Sequence, residues 1–155
     1  MVLLHGVNAI YKVPPYIPSS GDFHPQRSLN DEDIANLKKW GFNFVRLGVM
    51  WEAVEKEEKL YDYGYLEQIQ LLINKLGAAG IYTLIDAHQD AFARYMCGEG
   101  IPDFYAKRVI TEFPSCINQF ADPLLRDYYD SIGGVCKDMR DRGYERDDND
   151  DYLIQ

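Results

Sequence analysis

Gly41-Phe42-Asn43-Phe44-Val45-Arg46-Leu47-Gly48-Val49 is the stretch that decides the fold. It is apolar at nearly every position, where a strand with one wet face would alternate, so it predicts a strand covered on both faces. Gly41 offers the left-handed conformation that ends a helix. The helix it ends should begin near Asn30, whose side chain can cap exposed backbone N–H groups, with Asp31, Glu32 and Asp33 at the positive end of the dipole. Ile34, Leu37 and the flanking Trp40 make its predicted apolar face.

The same unit recurs on either side. Upstream, Val2 to Ala9 reads as a short strand, and four of the seven prolines fall between Pro14 and Pro25, which predicts an ordered loop of turns and extended chain. Downstream, Asp62 can cap a second helix in which Leu66, Ile69, Ile73 and Leu76 recur at three- and four-residue steps. Gly80 ends it, and Ile81 to His88 is a third strand. Doubly apolar strands alternating with helices predict a parallel α/β sheet, read as β-loop-α-β-loop-α-β.

Beyond His88 the pattern weakens. Arg94 to Pro102 reads as a glycine-bearing loop, Asp103 to Glu112 as a short helix, and Asp122 to Arg142 as another. From Lys137 to Asp151 seven acidic residues stand against four basic ones, the composition of a solvated tail.

The 155 residues are 46% hydrophobic and 26% charged, the composition of one soluble domain. No apolar stretch approaches the roughly 18 residues of a membrane span, so no transmembrane segment is expected. The first residues also lack the basic flank and long apolar segment of a secretory signal. A net charge of -9 disfavours long-range attraction to phosphate backbones, so nucleic acid is not an expected partner. Cys97, Cys116 and Cys136 lie far apart without a Cys-x-x-Cys pair or a nearby histidine, which argues against zinc and leaves the disulfide state open.

In parallel α/β proteins ligands meet the carboxyl ends of the strands. That rule selects Asn8 and Lys12 after the first strand, Arg46 with Trp51 and Glu52 after the second, and Asp86-Ala87-His88-Gln89-Asp90 after the third. A guanidinium buried in an apolar strand needs an acceptor, so Arg46 should pair with a carboxylate or a ligand, or form an ion pair that only stiffens the sheet. Alternation would put Asp86, His88 and Asp90 on one face if the strand runs that far, which raises the alternative of a metal-dependent hydrolase. A hydrolytic metal site normally wants more than one histidine, and His5 and His24 belong to other elements, so no metal or other cofactor is expected. The aromatics Tyr11, Tyr16, Phe23, Trp51, Tyr61, Tyr63 and Tyr65 can stack on sugar rings, cover a lipid, or simply pack the loops.

Gly6-Val7-Asn8, Gly41 to Leu47 with Trp51-Glu52, and a third strand ending in His88 resemble glycoside hydrolase family 5, the cellulase-like retaining glycosidases. Gly6 to Tyr16, Asp86 to Asp90 and Gly98-Glu99-Gly100-Ile101-Pro102 resemble its endoglycoceramidase branch, which cleaves between oligosaccharide and ceramide in glycosphingolipids. The resemblance covers about residues 2 to 105 and implies the first three βα units of a TIM (β/α)8 barrel over 1–105, followed by an irregular or helical acidic tail over 106–155. It implies hydrolysis with retention by two glutamates, one after an asparagine at the end of the fourth strand and one on the seventh, about 5 Å apart. On that template Arg46 would hold the nucleophile ionised and oriented, and His88 and Asp90 would hydrogen-bond sugar hydroxyls. Lys12, with Asn8 and Trp51 on the same rim, would bind the glycan.

No Asn-Glu pair occurs in the chain, and a complete barrel takes roughly 250 residues. The expectation is therefore an amino-terminal portion of a glycosidase, inactive alone, whose partner is a glycolipid or oligosaccharide, with possible peripheral contact to membrane lipid. The family suggests a secreted or lysosome-like setting. The alternative from another class is a non-catalytic glycan- or lipid-binding module built on the same rim.

Overall fold

The computed structural model describes residues 3–90, 93 and 99–112. The chain runs β1 (Gly6–Ala9), α1 (Asp31–Lys39), β2 (Phe44–Met50), α2 (Trp51–Val54), β3 (Glu55–Glu57), β4 (Leu60–Tyr61), α3 (Tyr63–Ala78), β5 (Tyr82–His88) and α4 (Asp103–Glu112). It divides into two compact units, Met1–Lys56 with Leu60–His88, and Glu57–Lys59 with the residues from Gln89 onward.

The first unit carries the predicted parallel sheet, in the order β1-β2-β5. Its helices begin where the sequence places their caps. Asn30 accepts from the Asp33 N–H at 2.9 Å, and Asp33 Oδ2 accepts from the Asn30 N–H at 3.0 Å, a reciprocal capping box. Lys56 pairs with the Asp62 carboxylate, whose Oδ1 also accepts from the Tyr65 N–H at 2.9 Å, and the two hold the Asp62 carboxyl below its ordinary range. Gly41 and Gly80 adopt φ of 84° and 80°, the left-handed turns expected after the two helices.

Burial follows the apolar periodicity. Val45 and Leu47 of β2 join Ile34 and Leu37 of α1 and Ile69, Leu72 and Leu76 of α3 in one core. Each fully buried aliphatic side chain of this kind contributes about 1.5–3 kcal/mol. Trp40 departs from the expectation: it is the C-cap of α1 and remains 64% exposed, because the chain has already left the helical face that packs on the sheet.

β1 is shorter than expected. Before it, His5 exchanges backbone hydrogen bonds with Asn43 and its Oδ1, and Asn43 Nδ2 donates to the Leu3 carbonyl at 2.9 Å. A side chain thus replaces the ladder before Gly6. The proline-rich connection is ordered, as expected: Ser19 donates to the Arg27 carbonyl and accepts from the Leu29 N–H, while Tyr11 and Val13 are buried.

A short two-stranded β3-β4 hairpin, absent from the predicted elements, follows α2. In the second unit, Asp90 and Glu99 form an antiparallel bridge, Ala106 of α4 is buried, and Arg108 pairs with Glu58. The expected helix α4 is present. Most of the loop from Arg94, the expected helix from Asp122 to Arg142 and the acidic tail lie outside the described residues.

Candidate functional site

Strand register assembles the site. Asn8 lies opposite Arg46, and Arg46 opposite Leu84; one row on, Gly48 lies opposite Asp86, and two rows on, Met50 lies opposite His88. Side chains two residues apart on a strand share a face, so Asn8, Arg46, Asp86 and His88 project to the same side of the sheet. The space above Gly48 belongs to Ile10, whose Cγ2 would sit 2.8 Å from an added Cβ. Arg46 therefore reaches past the side-chain-free position to the next row.

There it meets Asp86. Arg46 Nη2 lies 2.8 Å from Asp86 Oδ2, and His88 Nδ1 lies 2.8 Å from the same oxygen. A carboxylate only accepts hydrogen bonds, so in this contact the His88 Nδ1 carries the hydrogen. One oxygen thus fixes both a guanidinium and an imidazole. The expected acceptor for Arg46 is present, but the expected burial is not: its side chain is 37% exposed, because it leans over the open face of the sheet. His88 is buried. Arg46 at this distance repels a divalent cation from Asp86 Oδ2, so that oxygen is poorly disposed as a metal ligand.

The expected alternation does not extend to Asp90. Strand β5 ends at His88, where its partner β2 ends at Met50 and turns into α2. Asp90 lies in the second unit, its N–H donating to the Glu99 carbonyl at 3.0 Å. Lys12 is half-buried in the loop after β1, between the buried Tyr11 and Val13. Trp51 opens α2 with its ring half-exposed, and its Nε1–H donates to Glu55 Oε2 at 2.7 Å.

The aromatic group separates into two kinds. Phe23, Trp51, Tyr61 and Tyr63 are exposed, and Tyr16 is half-buried, whereas Tyr11 and Tyr65 are buried and have no face available for a sugar. Tyr65 instead donates from its hydroxyl to the Tyr16 carbonyl at 3.0 Å, and the Tyr16 hydroxyl donates to Glu52 Oε2 at 3.3 Å. Burial pushes the Tyr65 phenol up to about 12, against the opposing pull of a hydrogen bond with the Met50 backbone. Glu55, 2% exposed, had no part in the sequence reading; its position in a charged run hides it.

A cavity of about 490 Å³ lies between β1, the proline-rich loop and α1, lined among others by Asn8, Tyr11, Arg27, Asn36 and Trp40. Arg46, Asp86 and His88 do not line it. The charged cluster, at the carboxyl ends of the strands, is the better candidate for chemistry.

These features have relatives. A family model described as cellulase (glycosyl hydrolase family 5) matches residues 13–133. An endoglycoceramidase of Hydra vulgaris is 35% identical over 100 residues, covering 64% of this chain and 19% of its own length. Endoglycoceramidase I of Rhodococcus hoagii is 37% identical over 103 residues, covering 66% of this chain and 20% of its own. Among solved structures, endo-glycoceramidase II from a Rhodococcus species superposes with a TM-score of 0.55 at 25% identity, over 66% of this chain and 23% of that one. Sterylglucosidase 1 of Cryptococcus neoformans does so with a TM-score of 0.52 at 32% identity, over 64% and 17%. The chain spans about a fifth of the length of the curated relatives it matches. Its parallel strands and helices are thus part of a (β/α)8 barrel, and the chain belongs to the cellulase family, glycosyl hydrolase family 5.

Proposed function

We propose that this chain forms part of the sugar-binding rim of a retaining glycoside hydrolase acting on a glycolipid, with glycosylated ceramides as the first candidates and sterol glycosides as the second. The single observation that carries the reading is the meeting of Arg46 and His88 on one oxygen of Asp86 at the carboxyl ends of neighbouring strands. A rim of this kind offers a fixed positive charge toward an attacking carboxylate and hydrogen-bonding groups toward sugar hydroxyls.

In this reading Arg46 holds the nucleophilic carboxylate ionised and oriented, and His88 and Asp90 bind sugar hydroxyls. Lys12 and Asn8 contact the glycan, and the exposed ring of Trp51 offers a stacking face. Retention requires two carboxyl groups about 5 Å apart, an acid/base and a nucleophile. The 155 residues contain no Asn-Glu pair for the first role, and the chain is proposed to be a portion of the enzyme without either glutamate. Relatives named endoglycoceramidase and glucosylceramidase support the substrate class.

The test is turnover by the purified chain on a fluorescent glycosylceramide in detergent micelles, alongside calorimetry with lactose. The expected result is no sugar release, with binding no tighter than on the order of 1 mM, or about 4 kcal/mol. Sugar release would overturn the assignment of catalysis to residues outside this chain. Micromolar binding, lost in His88→Ala and Lys12→Ala, would replace it with a dedicated glycan-binding module. The gene offers an independent check, since the reading expects an Asn-Glu pair after an apolar strand downstream of Gln155.

A further inference from the structure

Tyr16 is a non-glycine residue at φ 63°, a conformation that L-residues hold only when their surroundings over-determine it. Its surroundings do so from three directions. Its N–H donates to the Val13 carbonyl at 2.7 Å, its carbonyl accepts from the Tyr65 hydroxyl, and its own hydroxyl donates to Glu52. The Tyr65 hydroxyl is the contact that reaches furthest. It extends from α3 and holds the loop after β1 through the Tyr16 carbonyl at 3.0 Å. A single buried group thus ties the loop that carries Lys12 to α3.

We propose that Tyr65 is a positioning residue, whose buried hydroxyl locks the Tyr11–Tyr16 loop onto α3 and so sets where Lys12 is presented on the rim. Lys12 follows Tyr11 and precedes Val13, both buried, so the direction of its side chain depends on the path of this loop. The value of that placement to a glycan rests on the proposed function, whereas the lock itself does not.

The two are separated by measuring the lock without ligand. In the full 155-residue chain, Tyr65→Phe is expected to speed amide exchange of Tyr16 roughly fivefold, the equivalent of one ordinary hydrogen bond, while Leu72 and Leu76 of α3 keep their protection. The rate at which an amine-reactive acylating reagent modifies Lys12 should change as well, with Lys39 as an unaffected internal reference. Tyr16→Phe, which removes the longer contact to Glu52 and keeps the carbonyl that Tyr65 holds, should leave both readouts near the wild-type values. Unchanged Tyr16 exchange in Tyr65→Phe would overturn the proposal. So would loss of protection along all of α3, which would make Tyr65 a general core residue, or an equal effect of Tyr16→Phe, which would move the lock to Glu52. Lactose affinity unaffected by Lys12→Ala would refute the glycan role of Lys12 and leave the lock standing.

Discussion

Strands β2 and β5 are both seven residues long and mostly apolar, and they pair in parallel along their whole length, yet only one of them is buried. In β2, Val45, Leu47 and Met50 are fully inaccessible; in β5, Tyr82, Leu84 and Ile85 are 58%, 49% and 48% exposed. The difference lies in their neighbours. β2 has β1 on one edge, β5 on the other, and α1 and α3 in its core, whereas β5 pairs on one edge only among the described residues. Apolar sequence therefore records that a strand is meant to be covered, and the rest of the fold decides what covers it.

The largest expected effect tests that contrast directly. Leu47→Ala should cost about 3 kcal/mol in urea unfolding, because it leaves a cavity in a closed core, whereas Leu84→Ala should cost less than about 1 kcal/mol at its half-wet position. Equal costs would mean that the β5 surface is covered in solution, and the comparison would fail.

A smaller effect sharpens it at Tyr65, which lies in the same buried core as β2. The unfolded chain releases the phenol proton near pH 10, and the folded chain near pH 12. Between those values the folded state binds more protons than the unfolded state, so this contribution is complete below pH 10 and is lost as pH rises toward 12. A two-unit shift corresponds to at most about 2.7 kcal/mol, and partial relaxation should bring the measured loss nearer to about 2 kcal/mol. The stability advantage of wild type over Tyr65→Phe should shrink across that window. A constant difference would show that the phenol is not held away from water.

Much of the frame was legible because it is local. Asn30 and Asp62 cap helices through residues three positions away, and Gly41 and Gly80 end them. The site was legible in part. The rule of carboxyl strand ends selected Arg46, Asp86 and His88, but the pairing of Arg46 with Asp86 depends on the register between strands roughly forty residues apart. Spacing along β5 puts His88 beside Asp86, and the register adds Arg46, making one oxygen of Asp86 the meeting point. Which of the aromatics pack was not legible for a related reason: three tyrosines at alternate positions look alike, and only the packing of α3 buries Tyr65 while Tyr63 remains exposed. Arg46 was expected to be buried, because an apolar strand gives no hint that its other face opens to solvent.

The central claim, that the rim around Arg46, Asp86 and His88 binds sugar, is tested most directly by titrating the ¹⁵N-labelled chain with lactose. Weak, saturable shifts confined to Asn8, Lys12, Trp51 and the residues from Asp86 to Asp90 are expected, and their loss in His88→Ala. Shifts absent from these residues, or concentrated instead along α1 beside Asn36 and Trp40, would contradict it.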